Sequence, residues 1–222
     1  RYAKKIFVTS SEAASFFPEG KTEIYGNPVR ALPEASTLER PKEFPEGKKC
    51  VFITGGSQGA LGINRKIEES IKEIIADTSL SVVWQVGSKH VESFQERLGN
   101  LPNVSIVGFV NNVYAYFQYA DLIVSRAGAS ALAEILAFGK PSVLLPFPHA
   151  TANHQEKNAR VVEKAGAALV ELDDEPNQLW AKISDLLNND TKRGQMAEQA
   201  KNLGMPDAAD RIAKAILKME KY

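Results

Sequence analysis

A chain of 222 residues, 44% hydrophobic and 24% charged, has room for one full globular domain plus a remainder and lies far from the signature of disorder. Lys plus Arg and Asp plus Glu balance at 27 each, so no global field draws in nucleic acid or an anionic membrane, and any anionic ligand must be held locally. The single cysteine, Cys50, excludes an internal disulfide and a cysteine zinc cluster and points to a reducing compartment, and no apolar run approaches the roughly 18 to 20 residues of a membrane span.

In chain order, Ile6 to Thr9 and Thr22 to Tyr25 read as strands flanking a short helix. Two strands cannot make an independent sheet, and the chain starts at Arg1 rather than at methionine. Residues 1–30 are therefore expected to be the tail of an N-terminal domain. Residues 31–48, with Pro33, Pro41 and Pro45 among charged side chains, read as an extended linker. From residue 49 onward, short apolar runs alternate with helical patterns. The expected strands are Cys50 to Thr54, Ser81 to Val86, Val104 to Val107, Asp121 to Val124, Ser142 to Leu145 and Ala167 to Val170. Ile63, Ile67, Ile71, Ile74 and Ile75 fall on one face of a single expected helix. Leu179, Trp180, Ile183, Leu186 and Leu187 repeat the pattern, and Ala208, Ile212, Ile216 and Met219 give a last amphipathic helix, expected over residues 206–221. Strands buried on both faces and joined by helices predict an α/β fold, a doubly wound parallel sheet of Rossmann-like type with helices on both faces. It should occupy residues 49–222.

Three stretches carry chemistry, each at a strand end and each opening a helix. GGSQGALG, Gly55 to Gly62, matches neither G-x-G-x-x-G nor the P-loop. It reads equally well as a tight strand-to-helix turn and as a ligand loop, and Ser57 and Gln58 favour the ligand. In SRAGASALAE, Ser125 to Glu134, Gly128 permits close backbone approach and the amides of Ala129 to Leu132 form a cradle suited to a diphosphate. Glu134, one turn inside, has the chemistry to accept from vicinal ribose hydroxyls, or simply to complement the helix dipole. For Arg126 a surface ion pair is the expectation. PFPHATANHQEKNA, Pro146 to Ala159, is a polar loop before a helix expected from Gln155 to Ala165 with Asn153 as its cap. Its His149, His154, Gln155 and Asn158 suit sugar hydroxyls, and the His-x4-His spacing lacks the third ligand a metal needs, so no metal is expected.

Taken together, GGSQGA, GFVNNVYAYFQYADLIVSRAGASALAE and GKPSVLLPFPHATANHQEKNA resemble the C-terminal domain of the bacterial MurG family of N-acetylglucosaminyltransferases, and YGNPVR, Tyr25 to Arg30, resembles the end of that family's N-terminal domain. The resemblance runs in order through essentially the whole chain. It implies a GT-B fold, with two Rossmann-like domains facing a cleft and the donor UDP-N-acetylglucosamine held mostly by the C-terminal one. Carried over by position, Ser57 lies at the donor diphosphate or sugar, and Val110 offers its backbone to the uracil. Ala129, Ser130, Ala131, Leu132 and Ala133 cradle the diphosphate, Glu134 takes the ribose hydroxyls, His154 and Gln155 take hydroxyls of the sugar, and Arg30 stands near the donor at the interdomain hinge.

The sequence departs from the family pattern in three places. Ala131 replaces a usual threonine, His154 replaces a frequent glutamine, and the family's GGTGGH loop with its candidate base appears nowhere in the sequence. No catalytic residue is therefore expected in this chain, which should bind UDP without turnover. The resemblance implies the donor-binding part of an inverting glycosyltransferase without cofactor. Such an enzyme passes N-acetylglucosamine to an undecaprenyl-linked muramoyl-pentapeptide in peptidoglycan synthesis, and so serves cell-wall biogenesis, cell shape and division. Its partners would be the donor and the lipid-linked acceptor but no nucleic acid, and its place cytoplasmic, peripheral at the cytoplasmic face of the membrane. Rival readings are another GT-B UDP-sugar enzyme, such as a glycolipid glycosyltransferase or a UDP-sugar epimerase, and a non-catalytic UDP-sugar-binding module. A dinucleotide oxidoreductase is disfavoured by the missing glycine fingerprint.

Overall fold

Near-continuous apolar runs make strands that must be covered on both faces, and six of them pair in one all-parallel sheet. The computed structural model describes residues 3–9 and 11–219. A small parallel pair comes first, β1 (Ile6–Val8) and β2 (Thr22–Ile24), around α1 (Ser11–Ala14), with Ile6 opposite Thr22. The large sheet is built from β3 (Lys49–Thr54), β4 (Leu80–Gln85), β5 (Val104–Val107), β6 (Leu122–Ser125), β7 (Ser142–Leu144) and β8 (Ala168–Val170). The connecting helices are α2 (Leu61–Glu69), α3 (Ile71–Ala76), α4 (Val91–Leu98), α5 (Val113–Tyr119), α6 (Ala129–Ala137) and α7 (His154–Lys164). After β8 come α8 (Leu179–Leu187), α9 (Asp190–Leu203) and α10 (Ala208–Met219). Lys221, in the expected last helix, lies outside the described residues.

Alternation along each strand divides the core. Val51, Ile53, Val82, Trp84 and Val124 face a cluster filled by Ile63, Ile67 and Ile74 and by Leu179, Ile183 and Leu186. Cys50, Phe52, Val83 and Ile123 face the other side, under Ala115, Phe117 and Ile135.

The isoleucine face exists, but the single helix expected there is two. At Ser70 the chain turns out of helical geometry (φ −101°, ψ 12°) between α2 and α3. The Lys66 carbonyl, which a continuous helix would bond to the Ser70 N–H, instead accepts from the Ser70 hydroxyl (3.2 Å) and from Asn177 Nδ2 (2.8 Å). Residues 31–48 have no strand and only a short 3-10 turn at Ala35–Thr37, yet they pack as a strap. Phe44 is fully buried against Tyr116, and Tyr119 donates to the Leu38 carbonyl (2.9 Å). The small N-terminal sheet meets α10, where Arg211 donates to the Ile24 carbonyl (3.3 Å) and stands 4.6 Å over the Tyr25 ring.

The large sheet runs β5-β4-β3-β6-β7-β8, so strand order reverses between β3 and β6. In open parallel sheets the crevice beyond the carboxyl ends of two such strands is where ligands bind, because the chain leaves them in opposite directions and the loops part. Two of the three sequence motifs begin at this point.

Candidate functional site

The loop after β3 is shaped by its glycines. Gly59 has φ +76°, and a Cβ there would fall 1.9 Å from the Val86 carbonyl oxygen; at Gly55 a Cβ would fall 2.3 Å from the Ala60 nitrogen. Gly56, by contrast, faces open space, and Ser57 is exposed at the loop tip. Gln85, 3% exposed at the end of β4, braces the loop: its Nε2 donates to the Gly56 carbonyl (2.8 Å) and to Thr54 Oγ1 (3.2 Å). Its Oε1 accepts the Val110 N–H (3.2 Å). Val110 was expected to offer its backbone to the uracil, and its N–H is committed within the protein.

The loop after β6 leads into α6 with Gly128 as N-cap and no side-chain cap. The first amides of a helix have no intrahelical acceptor, so those of Ala129, Ser130 and Ala131 point outward at the positive end of the dipole. Leu132 differs from the expectation: its N–H is bonded to the Gly128 carbonyl (2.9 Å) and its side chain packs with Ala159 and Val162. Ala133, a full turn in, lines with Ala129 and Leu132 a cavity of about 150 Å3 that reaches Thr9 and Gly26. Glu134 Oε1 accepts from the Tyr114 hydroxyl (2.9 Å), and the Arg30 guanidinium stands 5.4 Å over the Tyr114 ring. Burial, then the hydrogen bond to Glu134, push the Tyr114 pKa up, so it remains a donor at neutral pH. Arg30 and Glu134, more than a hundred positions apart, are thus brought together through a tyrosine that the sequence reading missed. Its signal was there: an aromatic with a polar tip at the start of α5, whose buried hydroxyl needs a partner.

Arg126 corrects another expectation. It is ion-paired, but the pair is not on the surface. Its guanidinium meets the Asp173 carboxylate through two bonds of 2.9 and 2.8 Å and donates to the Leu145 and Pro146 carbonyls (3.1 Å each), with both side chains only 13% exposed. The loops after β6, β7 and β8 are tied at one point. Asp173 in turn presses on α2, where a Cβ on Gly62 would fall 2.1 Å from its carboxylate.

The third motif folds around α7. Gln155 Oε1 accepts the Phe147 N–H (3.0 Å), while its Nε2 is the nearest group to the open side of Gly128, 3.9 Å from where a Cβ would stand. His154 Nδ1 donates to the Thr151 carbonyl (2.8 Å), which orients the ring and leaves Nε2 exposed. The helix begins at His154, one residue earlier than expected, and Asn153 precedes it without capping it. Asn153 is left-handed (φ 54°), and its amide turns to Glu156 Oε2 (2.6 Å). Ala152 is left-handed too (φ 52°), a geometry that costs alanine roughly 1 to 2 kcal/mol and that asparagine adopts more readily. An open groove of about 1510 Å3 runs past Gly55, Gly62, Arg126, Phe147, His149 and Gln155. Among the described residues no three His, Cys, Asp or Glu side chains gather where they could hold a metal ion.

The chain is similar to known proteins in sequence and in fold. The family description "Glycosyltransferase family 28 C-terminal domain" matches residues 50–212. A Salinibacter ruber protein named UDP-N-acetylglucosamine–N-acetylmuramyl-(pentapeptide) pyrophosphoryl-undecaprenol N-acetylglucosamine transferase is 35% identical over 98% of this chain and 60% of its own length. A Bacillus cereus relative of the same name, numbered 1, is 38% identical over 100% of this chain and 63% of its own length. The chain thus spans about three fifths of the curated relatives it matches. Among solved structures, the MurG of Acinetobacter baumannii superposes with a TM-score of 0.74 at 23% identity, covering 91% of this chain and 57% of that one. A UDP-N-acetylglucosamine 2-epimerase gives 0.68 at 16% identity, covering 99% and 58%. Both likenesses speak to the fold, which is that of GT-B glycosyltransferases.

Proposed function

The chain belongs to the family of the glycosyltransferase family 28 C-terminal domain, and from that premise we propose that it is the donor-binding part of an N-acetylglucosaminyltransferase that uses UDP-N-acetylglucosamine. The observation that carries this reading is the order of groups along the crevice. Free amides at Ala129 to Ala131 suit a diphosphate, a carboxylate with one oxygen uncommitted at Glu134 suits ribose hydroxyls, and the Gln155 carboxamide N–H beside Gly128 suits a sugar hydroxyl. Ser57 is exposed at the tip of the loop after β3, the Val110 carbonyl is the group for the uracil, and His154 is a second side chain for the sugar.

In the whole protein the acceptor is the lipid-linked muramoyl-pentapeptide that the relatives' names specify. A base outside this chain deprotonates its C4 hydroxyl, which attacks the anomeric carbon from the face opposite the diphosphate. As that bond breaks, negative charge grows on the departing UDP, where the α6 amides and the Arg30 guanidinium stabilise it. Residues 1–30 then belong to a second Rossmann-like domain, and residues 31–48 are the strap between the two. The reaction belongs to peptidoglycan synthesis, with the roles in cell shape and division that follow, and the protein works at the cytoplasmic face of the membrane. The chain by itself should bind UDP and transfer nothing.

Calorimetric titration of UDP and UDP-N-acetylglucosamine against two variants is the test. Glu134→Ala should weaken both ligands alike by about 1.5 to 3 kcal/mol, the worth of charge-assisted hydrogen bonds. Gln155→Ala should spare UDP and cost the sugar nucleotide about 1 kcal/mol. Equal losses for UDP in the two variants would sink the assignment of the third loop. A thermal-shift panel with UDP-galactose and NAD tests the rival ligands.

A further inference from the structure

Tyr114 stands between two opposite charges. Its hydroxyl donates to Glu134 Oε1 at 2.9 Å, and Arg30 stands 5.4 Å over its ring. No ion pair joins Arg30 to Glu134 among the described residues. The ring is held in turn: Tyr114 is buried, packed 5.2 Å from Phe138 and 6.4 Å from Phe117. A glutamate on a helix surface has three side-chain torsions and sweeps many positions, and an arginine within reach would draw it into a salt bridge. Here the phenol fixes one carboxylate oxygen, and the guanidinium stands against the same phenol rather than against the carboxylate. Oε2 is left free of both.

We infer that Tyr114 is a positioning residue that holds Glu134 for vicinal ribose hydroxyls, keeps it from pairing with Arg30, and so sets the preference of the site for ribose over deoxyribose nucleotides. This rests on the reading of Glu134 as the ribose acceptor. The balance of charge is consistent with it: Arg30 remains a cation for a diphosphate, and Glu134 remains an anion for hydroxyls. A direct pair would neutralise both groups.

The test compares UDP with 2′,3′-dideoxy-UDP by calorimetry on the 222-residue chain, native and as Tyr114→Phe, Glu134→Ala and the double variant. Phenylalanine keeps the ring contacts and removes only the hydroxyl, and thermal unfolding of each variant accompanies the titrations. Tyr114→Phe should cut the preference for UDP about fivefold, the worth of one ordinary hydrogen bond, with dideoxy-UDP affinity unchanged. In the Glu134→Ala background the same replacement should change nothing, since the carboxylate it positions is gone. A native preference in Tyr114→Phe, or an equal loss for both nucleotides, overturns the inference while leaving the ribose assignment standing. A native preference in Glu134→Ala overturns the ribose assignment itself and the inference with it.

Discussion

The two glycine-bearing loops at the strand-order reversal look alike in sequence and differ in what their glycines are for. After β3, Gly55 and Gly59 are required by backbone packed against backbone. After β6, Gly128 has ordinary extended geometry (φ −64°, ψ 141°) and no atom nearer than 3.9 Å to a would-be Cβ. The first glycines build the crevice wall, whereas the last leaves a space beside free amides that a ligand can fill. A glycine in a loop is thus evidence of a binding site only when the fold does not already account for it.

The largest effect that would break this contrast is on stability at the first loop. Gly59→Ala should cost more than about 4 kcal/mol, because a Cβ 1.9 Å from a carbonyl oxygen at φ +76° can be relieved only by moving backbone. Urea unfolding reads it, and a native midpoint would mean the wall is softer than its packing indicates.

Next comes the clamp that holds the loops around the crevice. Arg126→Met leaves Asp173 unpaired and two carbonyls without a donor, for an expected loss of about 3 kcal/mol. The measured loss should shrink when Asp173→Asn is combined with it, since a neutral partner no longer needs the cation.

Acid should loosen the wall before it affects the α6 amides. Burial by itself would raise the Glu171 carboxyl, but hydrogen bonds from Lys182, Lys66 and the Gln178 N–H outweigh it and hold the pKa below 4.5. A carboxyl depressed in the folded state contributes stability that is fully present above its unfolded pKa and is lost as pH falls through its folded one. Because Lys66 and Glu171 are each 1% exposed and Lys66 lies on α2, the helix that the first loop opens, that loss falls on the β3 side. Urea midpoints at pH 7, 4 and 3 should decline in that order, and a flat profile would exclude the pair as an acid-sensitive tie.

The smallest stability effect is expected at the second loop, and it sharpens the contrast most. Gly128→Ala should stay within about 0.5 kcal/mol of native, since its geometry suits alanine. UDP affinity should nonetheless fall in the same protein, read by titration, because the new methyl occupies the space beside the amides. Unchanged affinity would mean the diphosphate is held elsewhere.

Periodicity and turn chemistry carried most of the fold, because a buried parallel sheet leaves its mark on every strand as an apolar run and on every covering helix as an apolar face. The break at Ser70 escaped, since the isoleucine spacing continues straight across it and the competitor for the Lys66 carbonyl, Asn177, lies 111 positions away. The burial of Phe44 escaped for a related reason: a proline-rich polar stretch reads as a spacer until the aromatic it covers is seen. At the site, the loops and the helix start were legible because a helix N-terminus after a strand binds anions by its local geometry alone. Asn153 looked like a cap from its position, but the left-handed backbone turned its amide elsewhere.

The sequence by itself determined the strands of the large sheet, that they run parallel under covering helices, and that three loops lie at strand ends, since each follows from local propensity and burial pattern. Tertiary structure alone decided which partner each polar group received. Gln85 was fitted to the backbone of Val110, Arg126 to Asp173 across three loops, and Tyr114 to both Arg30 and Glu134. The physical reason is range: a hydrogen bond or ion pair is satisfied within about 3 Å in space, while the residues that meet can stand anywhere along the chain.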